Sequence, residues 1–282
     1  MSILSNSVKR LVGRAISEDA SHDDVTTQSL IPGTSNCNCK IIVKDNGVLA
    51  GIGIAIEVFK QIDPDIRSEI LVYDGAEINP GDVVANLQGR TESILKGERV
   101  ALNFLQHASG IASETSKYVK AIRGSNARIV DTRKTTPGLR EIEKYSVRVG
   151  GGYSHRFNLS DGILIKDNHI AALKKLNYTI ENIISKAREN APHTLRIEIE
   201  VETIQEAHDA LNGKADIILL DNMSVEDMRK VVNLVDGNCL LEASGGITIE
   251  TVKQVAETGV DLISIGSITH SVKSLDISLD FE

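Results

Sequence analysis

From residue 124 onward, short apolar runs alternate with helix-forming segments, and this alternation restricts the possible folds more than any other feature of the sequence. The apolar runs span residues 127–130, 162–165, 195–201, 217–220, 240–243 and 262–265. Thr203 with Glu206, Ser224 and Thr248 are N-cap residues that predict helices after three of these runs. Strands joined by helices of about 10 residues form parallel β-α-β units, so this half of the chain is an α/β structure.

Polar residues follow each of the six predicted strands. Examples are the Asp-Thr-Arg-Lys run at 131–134, the Lys-Asp-Asn-His run at 166–169, Glu200 and Asp221. An α/β barrel uses residues from the ends of many strands, whereas a doubly wound sheet concentrates its chemistry at one switch point. Six polar strand ends favour the barrel. Because there are six strands rather than eight, we expect an incomplete, open-sided barrel.

The N-terminal part has a different pattern, with short strands and turns between residues 36 and 89. Residues 39–44 and 69–73 are rich in β-branched side chains and are predicted to be strands. Two helices are then predicted, over residues 92–106 and 112–123. The chain therefore has two regions of different architecture.

The composition excludes several classes of protein. The 282-residue chain has a net charge of −8, 3% aromatic residues and no Trp, which does not suit nucleic-acid binding. Its apolar runs are shorter than the roughly 20 residues that a membrane span requires. Three cysteines, Cys37, Cys39 and Cys239, are too few for a disulfide framework, and no secretory signal is visible. We therefore expect a cytoplasmic protein.

A local excess of positive charge stands out in this acidic chain. Between Arg123 and Lys166 there are nine basic residues and four acidic ones. Arg133, Lys134 and Lys166 directly follow predicted strands, and His155 and Arg156 follow three consecutive glycines at 150–152. This pattern predicts a pocket for a small ligand with several negative charges, because Arg pairs with carboxylates in two-pronged fashion and Lys suits phosphates. The basic residues of 140–148 could instead form a solvated helix face.

Two further groups of residues complete the predicted site. Glu200 and Asp221 end consecutive strands, where they could bind Mg²⁺ together with substrate phosphates, or pair with Lys134 and Lys166 in a salt-bridge network. Glycine turns after the last two strands are typical of phosphate sites in barrels. These turns contain Ser244, Gly245 and Gly246 after one strand, and Gly266 after the next, with His270 close behind. Together, the groups indicate transfer of a phosphorylated sugar onto a dicarboxylate.

At this point a family resemblance is evident, and it is carried by long segments. They are GERVALNFLQHASGIAS (97–113), DTRKTTPGLREIEKYSVRVGGGYSHRFNLSDGILIKDNH (131–169), EIEVET (198–203), LLDNM (219–223), EASGGI (242–247) and GVDLISIGSITHS (259–271). These segments resemble the quinolinate phosphoribosyltransferases, and the similarity runs from the DDVTT segment at 23–27 to the C-terminus. The resemblance implies an α/β sandwich domain (1–110, with 271–282 returning to it) before an open-sided α/β barrel (111–270).

The resemblance also implies roles for individual residues. Arg133, His155, Arg156 and Lys166 would line a quinolinate pocket, which Arg99 would reach from the neighbouring subunit of a homodimer or of a hexamer built as a trimer of dimers. Lys134 would lie near both substrates, and Glu200 and Asp221 would contact the ribose hydroxyls and Mg²⁺. The expected phosphate-binding and ribose-binding residues are Lys134, Lys166, Glu200, Asp221, Ser244, Gly245, Gly246, Gly266 and His270.

The implied reaction joins quinolinate and phosphoribosyl pyrophosphate to give nicotinate mononucleotide, pyrophosphate and CO₂, a step of NAD biosynthesis. Lys134, Glu200 and Asp221 are the expected catalytic residues. Two alternatives remain open from the sequence. One is a related phosphoribosyltransferase of molybdenum-gene neighbourhoods, and the other is a non-catalytic barrel that senses phosphoribosyl pyrophosphate.

Overall fold

The computed structural model describes residues 3–20 and 24–282, so Asp23 of the DDVTT segment lies outside the described residues. The chain divides into two compact units. The first contains the described residues up to Ser116 together with Thr135–Gly151 and Ser267–Glu282. The second contains Lys117–Lys134 and Gly152–Gly266. The predicted domain boundary after residue 110 stays a prediction.

The first unit combines helices with short antiparallel strands. Its helices are α1 (Asn6–Asp19), α2 (Val25–Leu30), α3 (Ile52–Ile62), the first part of α4 (Thr91–Ala121), α5 (Arg140–Val149) and α11 (Ser267–His270), and its strands are β1 (Asn36–Val43), β2 (Gly47–Val48), β3 (Arg67–Ile70), β4 (Glu77–Ile78), β5 (Val83–Arg90) and β12 (Ile277–Phe281).

The main sheet of this unit has the strand order β12-β1-β5-β3, and all of its pairs are antiparallel. The last strand of the chain, β12, pairs with β1 with Ile41 opposite Leu279. Side chains of the sheet, such as Ile41, share one buried apolar core with Val12 of α1 and Phe59 of α3. This arrangement of helices on a sheet is the α/β sandwich that the family resemblance predicted.

Helix α4 corrects one prediction, because a single helix of 31 residues replaces the two that were expected. The predicted break lay at the small residues around Ser109 and Gly110. In the structure these residues allow the backbone of another segment to approach the helix. Ser109 Oγ accepts a hydrogen bond from the backbone N–H of Ala50, at 3.0 Å. A Cβ atom at Gly110 would overlap the carbonyl oxygen of Lys273.

Helix α5 corrects a second expectation, that Arg140, Lys144 and Arg148 might form a solvated face. Arg148 is exposed, but the Lys144 side chain is fully buried. Its neighbour Glu143 is also fully buried and accepts a hydrogen bond from the backbone N–H of Thr136, at 3.1 Å. Two charged side chains of this helix, Glu143 and Lys144, are therefore packed inside the protein.

The second unit alternates strands and helices along the chain, as the sequence predicted. Its elements are the end of α4, β6 (Arg128–Val130), β7 (Ile163–Ile165), α6 (Asp167–Lys174), α7 (Ile180–Asn190), β8 (Ile197–Val201), α8 (Ile204–Asn212), β9 (Ile217–Asp221), α9 (Val225–Val235), β10 (Leu240–Ser244), α10 (Val252–Ala256) and β11 (Leu262–Ser264).

Within the described residues of this unit, the strands form one parallel sheet in the order β6-β11-β10-β9-β8-β7. The two edge strands, β6 and β7, do not pair with each other in this order, so the barrel is open on that side. The open-sided α/β barrel is thus confirmed. Tyr153 forms an isolated parallel bridge with Val130, which places the segment after α5 along the β6 edge.

The caps of the connecting helices were mostly predicted. The Thr203 side chain accepts from the Glu206 N–H at the start of α8, and the Ser224 side chain accepts from the Asp227 N–H at the start of α9. The prediction for Thr248 was wrong, because α10 begins only at Val252. The Thr248 N–H donates instead to the Thr251 hydroxyl in a turn before the helix.

Candidate active site

A cavity of about 570 Å³ lies among the carboxyl ends of the barrel strands. Small-molecule sites are usually concave pockets of roughly 300–1,000 Å³, so this volume fits such a ligand. Most of the residues predicted for the site line it: Arg133, Lys134, His155, Arg156, Lys166, Glu200, Asp221, Ser244, Gly245 and Gly246. Because successive side chains of a strand point to opposite faces, Leu164 and Lys166 both face this cavity from the end of β7.

The lining of the cavity is strongly cationic on one side. Arg133, Lys134, Arg156 and Lys166 contribute positive charges from three separate segments. Burial and repulsion from Arg133 lower the pKa of the Arg156 guanidinium, while attraction to Glu198 raises it. The ordinary pKa of arginine is so high that the side chain stays charged. A ligand with several anionic groups would therefore be attracted to this part of the cavity.

Two carboxylates face the cavity from adjacent strands. Glu200 belongs to β8 and Asp221 ends β9, its parallel neighbour. Lys166 Nζ donates to Glu200 Oε2 at 3.1 Å, so one of the predicted lysine–carboxylate pairs is present. Asp221 Oδ2 accepts from the side-chain amide of Asn222 at 2.9 Å. Two carboxylates on neighbouring strands, together with substrate phosphates, are ligands that Mg²⁺ accepts, so these residues fit a magnesium ion.

The turns after β9 and β10 pack closely against each other at the rim of the cavity. The Asn222 N–H donates to the Ser244 carbonyl at 3.0 Å. Gly245 has a φ of +92°, and a Cβ atom there would overlap Asn222. A residue with a side chain would be strained in this conformation and would overlap Asn222, so the turn requires glycine. Because α10 starts six residues after Gly246, a phosphate here would meet the glycine turn rather than a helix end.

His155, Glu198 and Glu242 form a cluster of polar side chains, in which the two carboxylates are buried. His155 Nε2 is 3.1 Å from Glu198 Oε2 and 3.6 Å from Glu242 Oε1. Glu198 and Glu242 are 5% and 1% exposed. Burial, with a further contribution from Glu198, raises the pKa of Glu242 to about 7, although His155 opposes the shift. The sequence prediction gave Glu242 no role, and its signal was an acidic residue inside the apolar strand LLEAS.

Three predicted site residues do not line this cavity. Arg99 is exposed on α4, and His270 is the last residue of α11, both in the first unit. Gly266 lies two residues after the end of β11, in the second unit. Their roles stay predictions.

Comparison with known proteins agrees with this geometry. Residues 24–109 match the sequence model for the quinolinate phosphoribosyl transferase N-terminal domain, and residues 111–280 match the one for the C-terminal domain. The chain belongs to the quinolinate phosphoribosyl transferase family. The family resemblance derived from the sequence is thus confirmed.

Individual members of the quinolinate phosphoribosyl transferase family match almost the whole chain. A probable carboxylating nicotinate-nucleotide pyrophosphorylase of Bacillus subtilis is 44% identical over 273 residues, covering 97% of this chain and 93% of that protein. A decarboxylating quinolinate phosphoribosyltransferase of Nicotiana tabacum is 37% identical, covering 98% and 82%. The crystal structure of NadC from Streptococcus pyogenes superposes with a TM-score of 0.95 at 40% identity, covering 100% of this chain and 99% of that one.

Among the described residues, no helix is both long enough and apolar enough to cross a membrane.

Proposed function

We propose that the protein transfers the phosphoribosyl group of phosphoribosyl pyrophosphate to quinolinate and releases pyrophosphate and CO₂. The product is nicotinate mononucleotide, a precursor of NAD. One observation carries the proposal beyond family membership. A single cavity combines Arg133, Arg156 and Lys166, which suit a dicarboxylate, with Glu200 and Asp221, which suit a ribose and its metal-bound pyrophosphate.

The first chemical step forms a carbon–nitrogen bond. The lone pair of the pyridine nitrogen attacks the anomeric carbon of the ribose while the bond to pyrophosphate breaks and its electrons leave with the pyrophosphate. The sugar passes through a state that resembles an oxocarbenium ion. The protein's contribution is to align the two substrates, with the arginines on the carboxylates and the two acids on the ribose hydroxyls. Lys134 neutralises charge on the departing pyrophosphate.

The second step removes one carboxylate from the ring. The bond between C2 and its carboxylate breaks, CO₂ leaves, and the electron pair stays on C2, where it is stabilised by the adjacent cationic nitrogen and then takes up a proton. An arginine held tightly on the leaving carboxylate would oppose this step. We therefore assign the strongest arginine contacts to the carboxylate at C3, which is retained.

Glu200 and Asp221 are the residues that would hold Mg²⁺. When bound, the ion supplies charge neutralisation for the pyrophosphate group. The proposal includes a homodimer, or a hexamer built as a trimer of dimers, in which Arg99 of the partner subunit completes each site. The exposure of Arg99 on α4 supports this arrangement. A reducing, cytoplasmic location is also proposed, and the three free cysteines support it.

The reaction is tested with the purified protein, phosphoribosyl pyrophosphate, Mg²⁺ and either quinolinate or nicotinate. We expect equal amounts of nicotinate mononucleotide, pyrophosphate and CO₂ from quinolinate, and little product from nicotinate. Activity with nicotinate alone, or binding of phosphoribosyl pyrophosphate without any turnover, would contradict the proposal.

The dicarboxylate pocket is tested by the change Arg133→Ala. Loss of a two-pronged, charge-assisted contact costs about 1.5–3 kcal/mol, so we expect the quinolinate KM to rise roughly 10- to 100-fold. The KM for phosphoribosyl pyrophosphate should change much less. Arg229→Ala, at an exposed position of α9, is the matched control and should leave both constants unchanged. An unaltered quinolinate KM in R133A would remove Arg133 from the pocket.

A further inference from the structure

The segment that carries Arg156 lies along the β6 edge, on the open side of the barrel. Besides the bridge between Tyr153 and Val130, the His155 N–H donates to Asp131 Oδ1 at 2.8 Å. The Arg156 guanidinium reaches the Gly162 carbonyl at 3.4 Å, which is a long contact. The polar contacts of the neighbouring His155 therefore contribute to the position of Arg156.

The hydrogen bonds of His155 define which ring nitrogen carries the proton. The backbone N–H of Arg156 donates to His155 Nδ1 at 2.7 Å, so Nδ1 has to be the unprotonated acceptor. The proton of a neutral ring then lies on Nε2, which faces Glu198 Oε2 at 3.1 Å. Both ring nitrogens have partners within the protein, so the ring links the Glu198 carboxylate to the backbone of Arg156.

The position of the proton on the His155 ring also decides whether this cluster suits a metal ion. The ligand atoms of His155, Glu198 and Glu242 lie within 4.8 Å of one another, a spacing that could suit a metal ion. A neutral histidine that binds a metal through Nε2 carries its proton on Nδ1. That position already receives the N–H of Arg156. The arrangement of His155 therefore suits hydrogen bonds to Glu198 and to the Arg156 backbone rather than a bond to a metal ion.

We propose that Glu198 is a positioning residue for quinolinate binding, because its hydrogen bond fixes His155 in the tautomer that holds the backbone of Arg156. The Glu198 carboxylate also attracts the Arg156 guanidinium directly. This series of hydrogen bonds begins at Glu198 in β8, passes through both nitrogens of the His155 ring, and ends at the backbone N–H of Arg156, which lines the cavity. This inference rests on the proposed function, since it takes the substrate of Arg156 to be quinolinate.

The test compares three variants by steady-state kinetics with each substrate varied in turn. Glu198→Leu removes the acceptor at similar volume, and we expect a roughly 10- to 100-fold rise in the quinolinate KM, the range typical of lost supporting contacts. The KM for phosphoribosyl pyrophosphate and kcat should change little. Glu198→Gln keeps an acceptor oxygen for His155 and should recover most of the loss. Glu226→Leu, at an exposed position of α9, is the control and should match the wild type.

A second measurement does not depend on activity. Nitrogen-15 NMR of the wild-type protein, with His155 assigned by its loss in a His155→Asn variant, should show a proton on Nε2 and a bare Nδ1. A proton on Nδ1 would overturn the proposal. So would an E198L variant with the wild-type quinolinate KM, an E198Q variant as impaired as E198L, or an equal rise in both KM values. Failure of the wild type to use quinolinate would refute the proposed function instead. The NMR measurement would still test the hydrogen bonds from Glu198 through His155 to Arg156.

Discussion

Glu242 shows how one buried residue can connect the site to the pH dependence of stability. Its pKa is raised from an ordinary 4.5 to about 7 in the folded protein, because its carboxyl is buried and faces Glu198, with Asp131 adding repulsion and His155 opposing it. The folded state thus binds this proton more tightly than the unfolded state does. The stabilisation is complete below pH 4.5 and is lost as the pH rises to 7.

The change Glu242→Gln tests this effect, because the amide is neutral at every pH. Between pH 4.5 and 7, the free energy of unfolding of the wild type should fall relative to E242Q by up to about 3 kcal/mol. Urea unfolding of both proteins across this range measures the difference. Parallel curves for the two proteins would show that Glu242 has the same pKa in the folded and unfolded states.

Sequence reasoning identified the residues that can each be recognised from their own charge and their own position relative to a predicted strand. Arg133, Lys166, Glu200 and Asp221 are charged residues at or shortly after the ends of strands, and the structure brings all four to one cavity. The partnership of His155 with Glu198 was not predictable. It depends on which side chains cross the barrel interior from the loop after α5 to β8, and the sequence contains no local signal for that contact.

The strands of the barrel were predicted more accurately than the long helix α4, and the difference has a physical reason. Parallel strands buried on both faces are continuous apolar runs, so β6 to β11 were found close to their observed bounds. Small residues are ambiguous, since they can end a helix or allow another backbone to pack against it. The segment around Gly110 has the second role, and only the fold could show it.

The packing role of Gly110 gives a prediction about helix α4. Alanine usually stabilises a helix relative to glycine by about 0.5–1 kcal/mol, but a Cβ atom at this position would overlap the Lys273 carbonyl oxygen. We expect Gly110→Ala to lower the free energy of unfolding by roughly 1–3 kcal/mol, as overpacking does. Gly53→Ala in α3 is the control, because outside its own helix a Cβ atom there would meet only Ile3 Cγ2, at 4.0 Å.

Thermal unfolding of the two glycine variants measures this difference. The melting temperature should fall for G110A and stay level or rise for G53A. An increase for both variants would mean that the Lys273 segment moves away without cost, and that the glycine is not needed for close packing.

At the scale of the whole molecule, the proposed role of Arg99 can be tested in an assembly of two chains. The cavity contains Arg133 and the other basic residues of the second unit, whereas Arg99 lies in the first unit and is exposed on α4. An exposed arginine on a long helix is suited to contact a second subunit. If Arg99 of the partner subunit completes each site, an assembly built from two differently damaged chains should contain intact sites.

Co-expression of R99A and R133A chains with different affinity tags tests this arrangement. In a heterodimer purified through both tags, one site combines Arg133 of one chain with Arg99 of the other and is intact, while the second site lacks both. We expect such heterodimers to have about half of the wild-type activity, and each homodimer alone to have very little at low quinolinate. Heterodimers no more active than the average of the two homodimers would show that Arg99 does not act across the interface.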